Sequence, residues 1–278
     1  MKTILVPTEQ HELTASILQT ALLLARKFDS YIEGFALFPA IVELYALDAG
    51  VPLPVEIKEH DAEMAKQARS LFEKFMTDHG VARSNATAAA LSFGWLDEAP
   101  DGDAFVGNYG RIFDAIVLGR PGAGRRSRPS MITIEAGLFE AGRALLIAPP
   151  SPPQQMGDNI LIAWNCSTEQ ARATALAMPL LHKANRVTVL TVEGGTVPGP
   201  TGEQLARYLQ RNGVPSEPIT VRPEGRSTGE AILAEAASRK CDLLVKGAYT
   251  QSRLRQMIFG GATRHIMANA SLPVLMAH

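Results

Sequence analysis

The sequence predicts an α/β protein built from two similar doubly wound domains, each with a five-stranded parallel sheet. Three observations support this fold class: short apolar runs alternate with helical patterns, the same order of runs recurs in the second half, and a proline-rich segment separates the halves. The length of 278 residues also suits two domains of ordinary size. Each copy is expected to contain about five strands and four helices.

Three pairs of similar apolar segments, each of the length of a buried strand, define the repeat. In chain order the pairs are Ile4–Pro7 with Ile160–Ala163, Asp114–Arg120 with Asp242–Ala248, and Ala144–Ala148 with Pro273–Ala277. Between the copies, residues 149–155 contain four prolines, which lack backbone donors and favour extended chain. The domains are therefore expected at residues 1–149 and 157–278, and two such copies are expected to pair within the chain.

Helical faces follow the strands in both copies. The apolar positions at helical spacing are Leu13, Ile17, Ala21, Leu24 and Phe28, then Met64, Ala68, Leu71, Phe72 and Phe75, and in the second copy Ile232, Leu233, Ala236 and Ala237. Ser227 and Glu230 have the spacing of a capping box and predict the start of the last of these helices. The segment Leu37–Ile57 has no counterpart in the second copy, and we interpret it as a partly helical flap, with a partner-binding surface as the alternative.

Composition excludes several classes of protein. The net charge is −1, which is too balanced for a protein that acts on nucleic acid or an anionic membrane. The two cysteines, Cys166 and Cys241, lack the spacing of zinc ligands or of a disulfide scaffold, and no metal site is identified. The chain has neither a secretory signal pattern at its start nor an apolar run of the roughly 18 residues needed for a membrane span, so a cytoplasmic location is expected.

The segment from Lys246 to His265 has the strongest chemical signal. It leaves the carboxyl end of a predicted parallel strand and returns through Gly260 and Gly261 into a helix that begins at Ala262. Ligands of open α/β sheets bind at that edge, and the amides of a helix start together with the hydroxyl of Thr263 suit a phosphate. A purely structural turn from strand to helix explains the glycines equally well.

The chain resembles the universal stress protein family in its tandem two-domain form. The resemblance rests on ILVPTE and ILIAWNCS at the starts of the two copies, on GAYTQSRLRQMIFGGATRHI, and on the closing LPVLMAH. It implies a Rossmann-like domain, similar to the adenine nucleotide alpha hydrolases, that occurs as dimers or tandem repeats. Some members bind ATP or AMP and others bind no nucleotide.

The family's nucleotide pattern is Gly, two residues, Gly, nine residues, Gly and then Ser or Thr. Placed on the second copy, it falls on Gly247, Thr250, Gly260 and Gly261, so two of the four positions depart. The branched Thr250 resists a positive φ and crowds the backbone where phosphates would lie. The residues that the resemblance and the motif together assign to a nucleotide are Ala163, Asn165, Val192, Lys246, Gly247, Thr250, Gly260, Gly261, Ala262 and Thr263.

Two of these residues stand at nucleoside-contacting positions of the family. Asn165 replaces an acidic residue and keeps hydrogen-bonding capacity without the charge. Val192 matches the residue whose backbone reads adenine. The resemblance therefore implies an adenine nucleotide, ATP or AMP, in the second copy only.

The first copy matches the pattern less well. Glu9, Gly119 and Gly122 occupy matching positions, but Ile132 stands where the third glycine belongs, followed by Thr133. Residues 120–129 contain four arginines and no acidic residue. We interpret this segment as a solvated loop, with an anion-binding arm as the alternative.

The resemblance implies a cytoplasmic stress-response regulatory protein with an adenine-nucleotide site, whose domains pair within the chain, with a homodimer as a further form. Two alternatives to this function remain. One is a nucleotide-free scaffold that works through protein contacts, with the first copy wholly structural. The other is an adenylate-forming or ATP-hydrolysing enzyme, for which no residue can be assigned as nucleophile or general base.

Overall fold

The computed structural model describes residues 1–38, 55–84, 90–100, 102–121, 129–248 and 261–278. The chain forms two compact units, Met1–Arg143 and Ala144–His278. Strands and helices alternate in both, which confirms the α/β fold class. The boundary between the units lies a few residues before the proline-rich segment. The domain limits of 1–149 and 157–278, which follow from the sequence repeat, stay a prediction.

In the first unit, five parallel strands form a sheet of order β3-β4-β2-β1-β5. The strands are β1 (Thr3–Thr8), β2 (Tyr31–Ala36), β3 (Ala82–Arg83), β4 (Ser92–Leu96) and β5 (Ala115–Gly119). The helices are α1 (Thr14–Phe28), α2 (Val55–Asp78), α3 (Ala104–Gly110) and α4 (Met131–Phe139). On α2 the buried positions include Ala68, Phe72 and Met76, of which Met76 was not predicted. Most of the predicted flap, residues 39–54, lies outside the described residues.

In the second unit, the sheet has the order β6-β11-β10-β7-β8-β9. The strands are β6 (Ala144–Ala148), β7 (Asn159–Ala163), β8 (Arg186–Val192), β9 (Glu217–Val221), β10 (Leu243–Gly247) and β11 (Val274–Ala277). The helices are α5 (Thr168–Leu181), α6 (Gly202–Arg211), α7 (Thr228–Ser238) and α8 (Gly261–Asn269). The last five strands in this order are parallel, as predicted.

Strand β6 is the segment that the sequence repeat makes the closing strand of the first copy. It pairs antiparallel with β11, with Leu146 opposite Leu275. All five of its residues are buried. Antiparallel pairing satisfies the backbone groups along β11, which would otherwise form an open sheet edge.

Three helices of the second unit begin at side-chain caps. The hydroxyl of Ser167 accepts a hydrogen bond from the Gln170 amide and starts α5. Capping boxes start α6 at Thr201 and α7 at Ser227, where Glu230 bonds back to the Ser227 amide, which confirms the box predicted there. These caps fix the residue at which each helix begins, near the carboxyl ends of the strands.

An aspartate at the start of the fourth strand of each repeat ties that strand to the first. In the second unit the Asp242 carboxylate, which is buried, accepts hydrogen bonds from the amides of Gly157, Asp158 and Asn159 at 2.9 to 3.2 Å. In the first unit Asp114 accepts bonds from the amides of Lys2 and Thr3. Burial alone would raise the pKa of Asp114, but these hydrogen bonds outweigh it and hold the pKa below its usual value.

We expect Asp242→Ala to lower the free energy of unfolding of the second unit by about 2 kcal/mol, because it leaves buried amides without an acceptor. Asp242→Asn is the matched control: it keeps one acceptor oxygen and is expected to cost clearly less. Urea unfolding followed by the fluorescence of Trp164 measures both. Equal losses for the two variants would show that the carboxylate is not holding these amides.

Every helix among the described residues is too short or too polar to cross a bilayer.

Candidate functional site

A cleft of about 310 Å³, a volume that includes space open to solvent, lies in the second unit at the carboxyl ends of β7, β8 and β10, beside the starts of α7 and α8. The lining residues are Ala163, Trp164, Asn165, Leu190, Val192, Gly195, Thr228, Ile232, Lys246 and Ala262. The strand ends supply most of them, as expected for a ligand site of an open α/β sheet.

The wall formed by the end of β7 is held by hydrogen bonds. The Trp164 backbone amide donates to the Leu190 carbonyl at 2.8 Å, and its indole N–H donates to the Pro200 carbonyl at 2.7 Å. The chain then turns at Cys166, which has a φ of 67°, and enters α5 at Ser167. The indole is therefore fixed beside the cleft with its polar group satisfied.

Asn165 stands at the turn between β7 and α5. Its side-chain oxygen accepts a hydrogen bond from the Ser167 amide at 3.3 Å, and its backbone carbonyl accepts one from Val197 at 3.0 Å. Across the cleft, the Val192 carbonyl accepts the Gly195 amide at 3.0 Å. A Cβ at Gly195 would lie 2.8 Å from the Thr228 methyl group, so the loop after β8 approaches α7 closely only with glycine there.

Lys246 is a charged side chain in the floor of the cleft. It is only 4% exposed, because β10 is covered on both faces. Its Nζ donates to the Gly247 carbonyl at 2.6 Å. Burial lowers the pKa of Lys246 to about 8, and the carboxylate of Glu169 opposes this shift more weakly.

Gly247 lies against the start of α5, on the opposite side of β10 from Lys246. The Gln170 side chain joins the two elements: its oxygen accepts the Gly247 amide at 2.7 Å and its NH₂ group donates to the Val245 carbonyl at 3.3 Å. A Cβ at Gly247 would lie 2.6 Å from the Gln170 Cα and would also overlap the Gln170 nitrogen. Gly247 is therefore a packing residue in this structure.

The structure brings together half of the predicted site residues. Five of the ten line the same cleft: Ala163, Asn165, Val192, Lys246 and Ala262. Three others are adjacent to lining residues in the sequence but do not line the cleft: Gly247, Gly261 and Thr263. The side chain of Thr263 is buried. Thr250 and Gly260 lie outside the described residues.

Five lining residues were not predicted. They are Trp164, Leu190, Gly195, Thr228 and Ile232. A sequence signal existed for Thr228, because the capping box at Ser227 places it in the first turn of a helix that follows a strand. Leu190 and Ile232 have the pattern of ordinary core residues, and nothing in the sequence marks them as facing a cleft.

In the first unit, the residues at corresponding positions have structural partners. The Thr133 hydroxyl, which is fully buried, donates to the carboxylate of Asp103 and lies 2.8 Å from the hydroxyl of Ser130. Ser130 in turn caps α4 by accepting the Thr133 amide at 3.0 Å. The start of α4 is thus occupied by its own side chains. Gly122 lies outside the described residues.

The two thiols have the properties of protonated groups. Burial raises the pKa of Cys166, which the Trp164 side chain offsets only in part, and burial raises the pKa of Cys241 to about 11. Because the thiolate is the reactive form, both are expected to react slowly. Among the side chains that the structure describes, His, Cys, Asp and Glu residues form no group of three able to hold a metal ion.

Comparison with known proteins agrees with this architecture. Residues 156–278 match the sequence pattern of the Universal stress protein family. The second half of the chain is a universal stress protein domain. The matched range contains every residue that lines the cleft.

Solved structures resemble the whole chain. A universal stress protein from Archaeoglobus fulgidus DSM 4304 is 15% identical, with a TM-score of 0.71 over 99% of this chain and 97% of that one. A functionally unknown protein from Pseudomonas aeruginosa PAO1 is 14% identical, with a TM-score of 0.57 over 100% and 92% of the two chains. At these identities the likeness concerns the fold, which is consistent with a tandem two-domain form. No curated protein sequence matches the chain.

Proposed function

We propose that this stress-response-type protein is a cytoplasmic regulatory protein whose universal stress protein domain binds an adenine nucleotide, ATP or AMP, in the cleft of the second unit. The observation that carries the proposal is the convergence of Ala163, Asn165, Val192, Lys246 and Ala262 on that cleft. The resemblance and the sequence motif together assign all five to a nucleotide.

The lining suits the parts of a nucleotide. Trp164, Leu190, Val192 and Ile232 offer apolar surface for a base, and Thr228 and Asn165 offer polar groups for a ribose. Helix α8 begins at Gly261, and the first amides of a helix lack acceptors within it and attract anions. We assign Thr250, Gly260 and Gly261 to the phosphate side of the site on the family pattern, and Thr263 on its hydroxyl near the start of α8. Gly247 supports this side of the sheet as a packing residue.

We expect ATP or AMP to bind the full-length protein with a stoichiometry of one, measured by titration calorimetry and by the fluorescence of Trp164 in a Trp95→Phe background. Ala262→Phe should abolish the signal, because it places a large ring in the cleft. Ile132→Phe is the matched control, since Ile132 lies at the start of α4 in the first unit and is 62% exposed.

Two results would contradict the proposal. Absence of binding by ATP, ADP and AMP at millimolar concentration would favour the nucleotide-free scaffold. Loss of binding in Ile132→Phe with retention in Ala262→Phe would place the nucleotide in the first unit.

A further inference from the structure

Lys246 is the one charged residue among the ten that line the cleft, and this lining contains no carboxylate. The Nζ hydrogen bond to the Gly247 carbonyl satisfies one of the three donors of an ammonium group. Buried cations are normally paired with an anion because transfer out of water is costly. The described part of the cleft therefore has a positive charge in its floor and supplies no lining group to neutralise it.

The charged groups on the surrounding elements lie outside this lining. They are Glu169 on α5, Glu193 after β8, Glu230 on α7, Arg264 and His265 on α8, and His278 after β11. Glu193 pairs with Arg222 at 3.2 Å, and Glu230 accepts the Ser227 amide at 2.7 Å. Glu169 interacts electrostatically with Lys246, but its effect is smaller than that of burial.

We infer that Lys246 selects an anionic ligand, so that the cleft binds a nucleoside monophosphate in preference to the uncharged nucleoside and takes up a proton as the lysine pairs with the phosphate. The inference rests on the nucleotide site proposed above and adds a specificity-determining residue to it. An anion next to a buried ammonium favours its charged form. Near pH 8 the lysine of the free protein is only partly protonated, so binding must complete its protonation.

The position of Asn165 supports this inference. It lines the same cleft, and its side chain is a neutral amide. An aspartate at this position would supply a negative charge to the lining, whereas the asparagine leaves the charge of the lysine to be neutralised by a ligand.

The test compares AMP with adenosine by titration calorimetry on the full-length protein. In the wild type we expect AMP to bind more tightly, with uptake of about half a proton at pH 8, obtained from the dependence of the heat on the ionisation enthalpy of the buffer. Lys246→Met should weaken AMP about tenfold, which corresponds to about 1.4 kcal/mol, change adenosine by less than about twofold and abolish the proton uptake.

Lys183→Met, at an exposed lysine of the same unit, is the matched control and should behave as the wild type. A variant in which His265 and His278 are both glutamine should retain the proton uptake if Lys246 is its source. Asn165→Asp should also weaken AMP binding, because it adds a negative charge to the lining of the cleft.

The outcomes are separable. Tight AMP binding that survives Lys246→Met, or equal affinities for AMP and adenosine in the wild type, would overturn the inference and leave the nucleotide site standing. Failure of both ligands to bind at millimolar concentration would overturn the site and the inference together.

Discussion

Gly247→Ala is expected to lower the free energy of unfolding of the second unit by about 3 kcal/mol, at the upper end of the cost of overpacking a core. The added methyl group would meet the Gln170 nitrogen and lie 2.6 Å from the carbons Gln170 Cα and Glu169 C. These are backbone atoms at the capped start of α5, so they cannot move aside as a flexible side chain would. The clash also threatens the two hydrogen bonds through which Gln170 joins α5 to β10.

Gly261→Ala is the matched control. A Cβ at Gly261 has nothing within 4 Å, and alanine favours helix over glycine, so this variant should be as stable as the wild type or slightly more stable. Urea unfolding monitored at Trp164 in a Trp95→Phe background reports on the second unit. A loss below about 1 kcal/mol for Gly247→Ala would mean that α5 shifts to accept the methyl group.

The stability of the second unit is expected to rise between pH 8 and pH 10.5 because of Lys246. Burial lowers the pKa of this lysine from 10.5 to about 8, so in this window the unfolded chain binds a proton that the folded chain has released. The free energy of unfolding therefore increases with pH, by on the order of 3 kcal/mol across the window if the group acts alone. Below pH 8 the folded protein carries the full cost of the buried charge.

Lys246→Met should remove this contribution. The variant is expected to be more stable than the wild type at pH 7, by up to the same amount, and the difference should vanish by about pH 10.5. Subtracting the two unfolding profiles cancels the other groups that titrate in this range, including Cys241. A variant that is less stable than the wild type at pH 7 would show that the Lys246 charge is already paired in the folded protein.

Much of the fold follows from local sequence patterns. Strands such as β5 and β10 are short, apolar and buried on both faces, which is why their runs identify them without ambiguity. The capping box at Ser227 likewise defines the start of α7 by chemistry confined to four residues. The pairing of β6 with β11 has no such local origin, because five apolar residues carry no signal for a particular neighbouring strand.

The part of the site that consists of strand ends could be predicted from the sequence. Ala163, Asn165, Val192 and Lys246 follow or end apolar runs, and parallel strands bring those ends together. Burial of Lys246 was also implicit in its place inside a doubly covered strand. The contributions of Leu190 and Ile232 depend on the packing of α7 against β8, two elements that are distant in the chain.

Strand β6 also determines what a fragment of this chain would have to contain. The proline-rich segment marks the repeat boundary, yet the strand that borders β11 lies before it, at Ala144–Ala148. A fragment carrying residues 157–278 alone would leave one side of β11 with an unpaired row of backbone donors and acceptors, an arrangement that invites pairing with another chain. A fragment that reproduces the sheet of the second unit therefore has to begin at or before Ala144 rather than after the prolines.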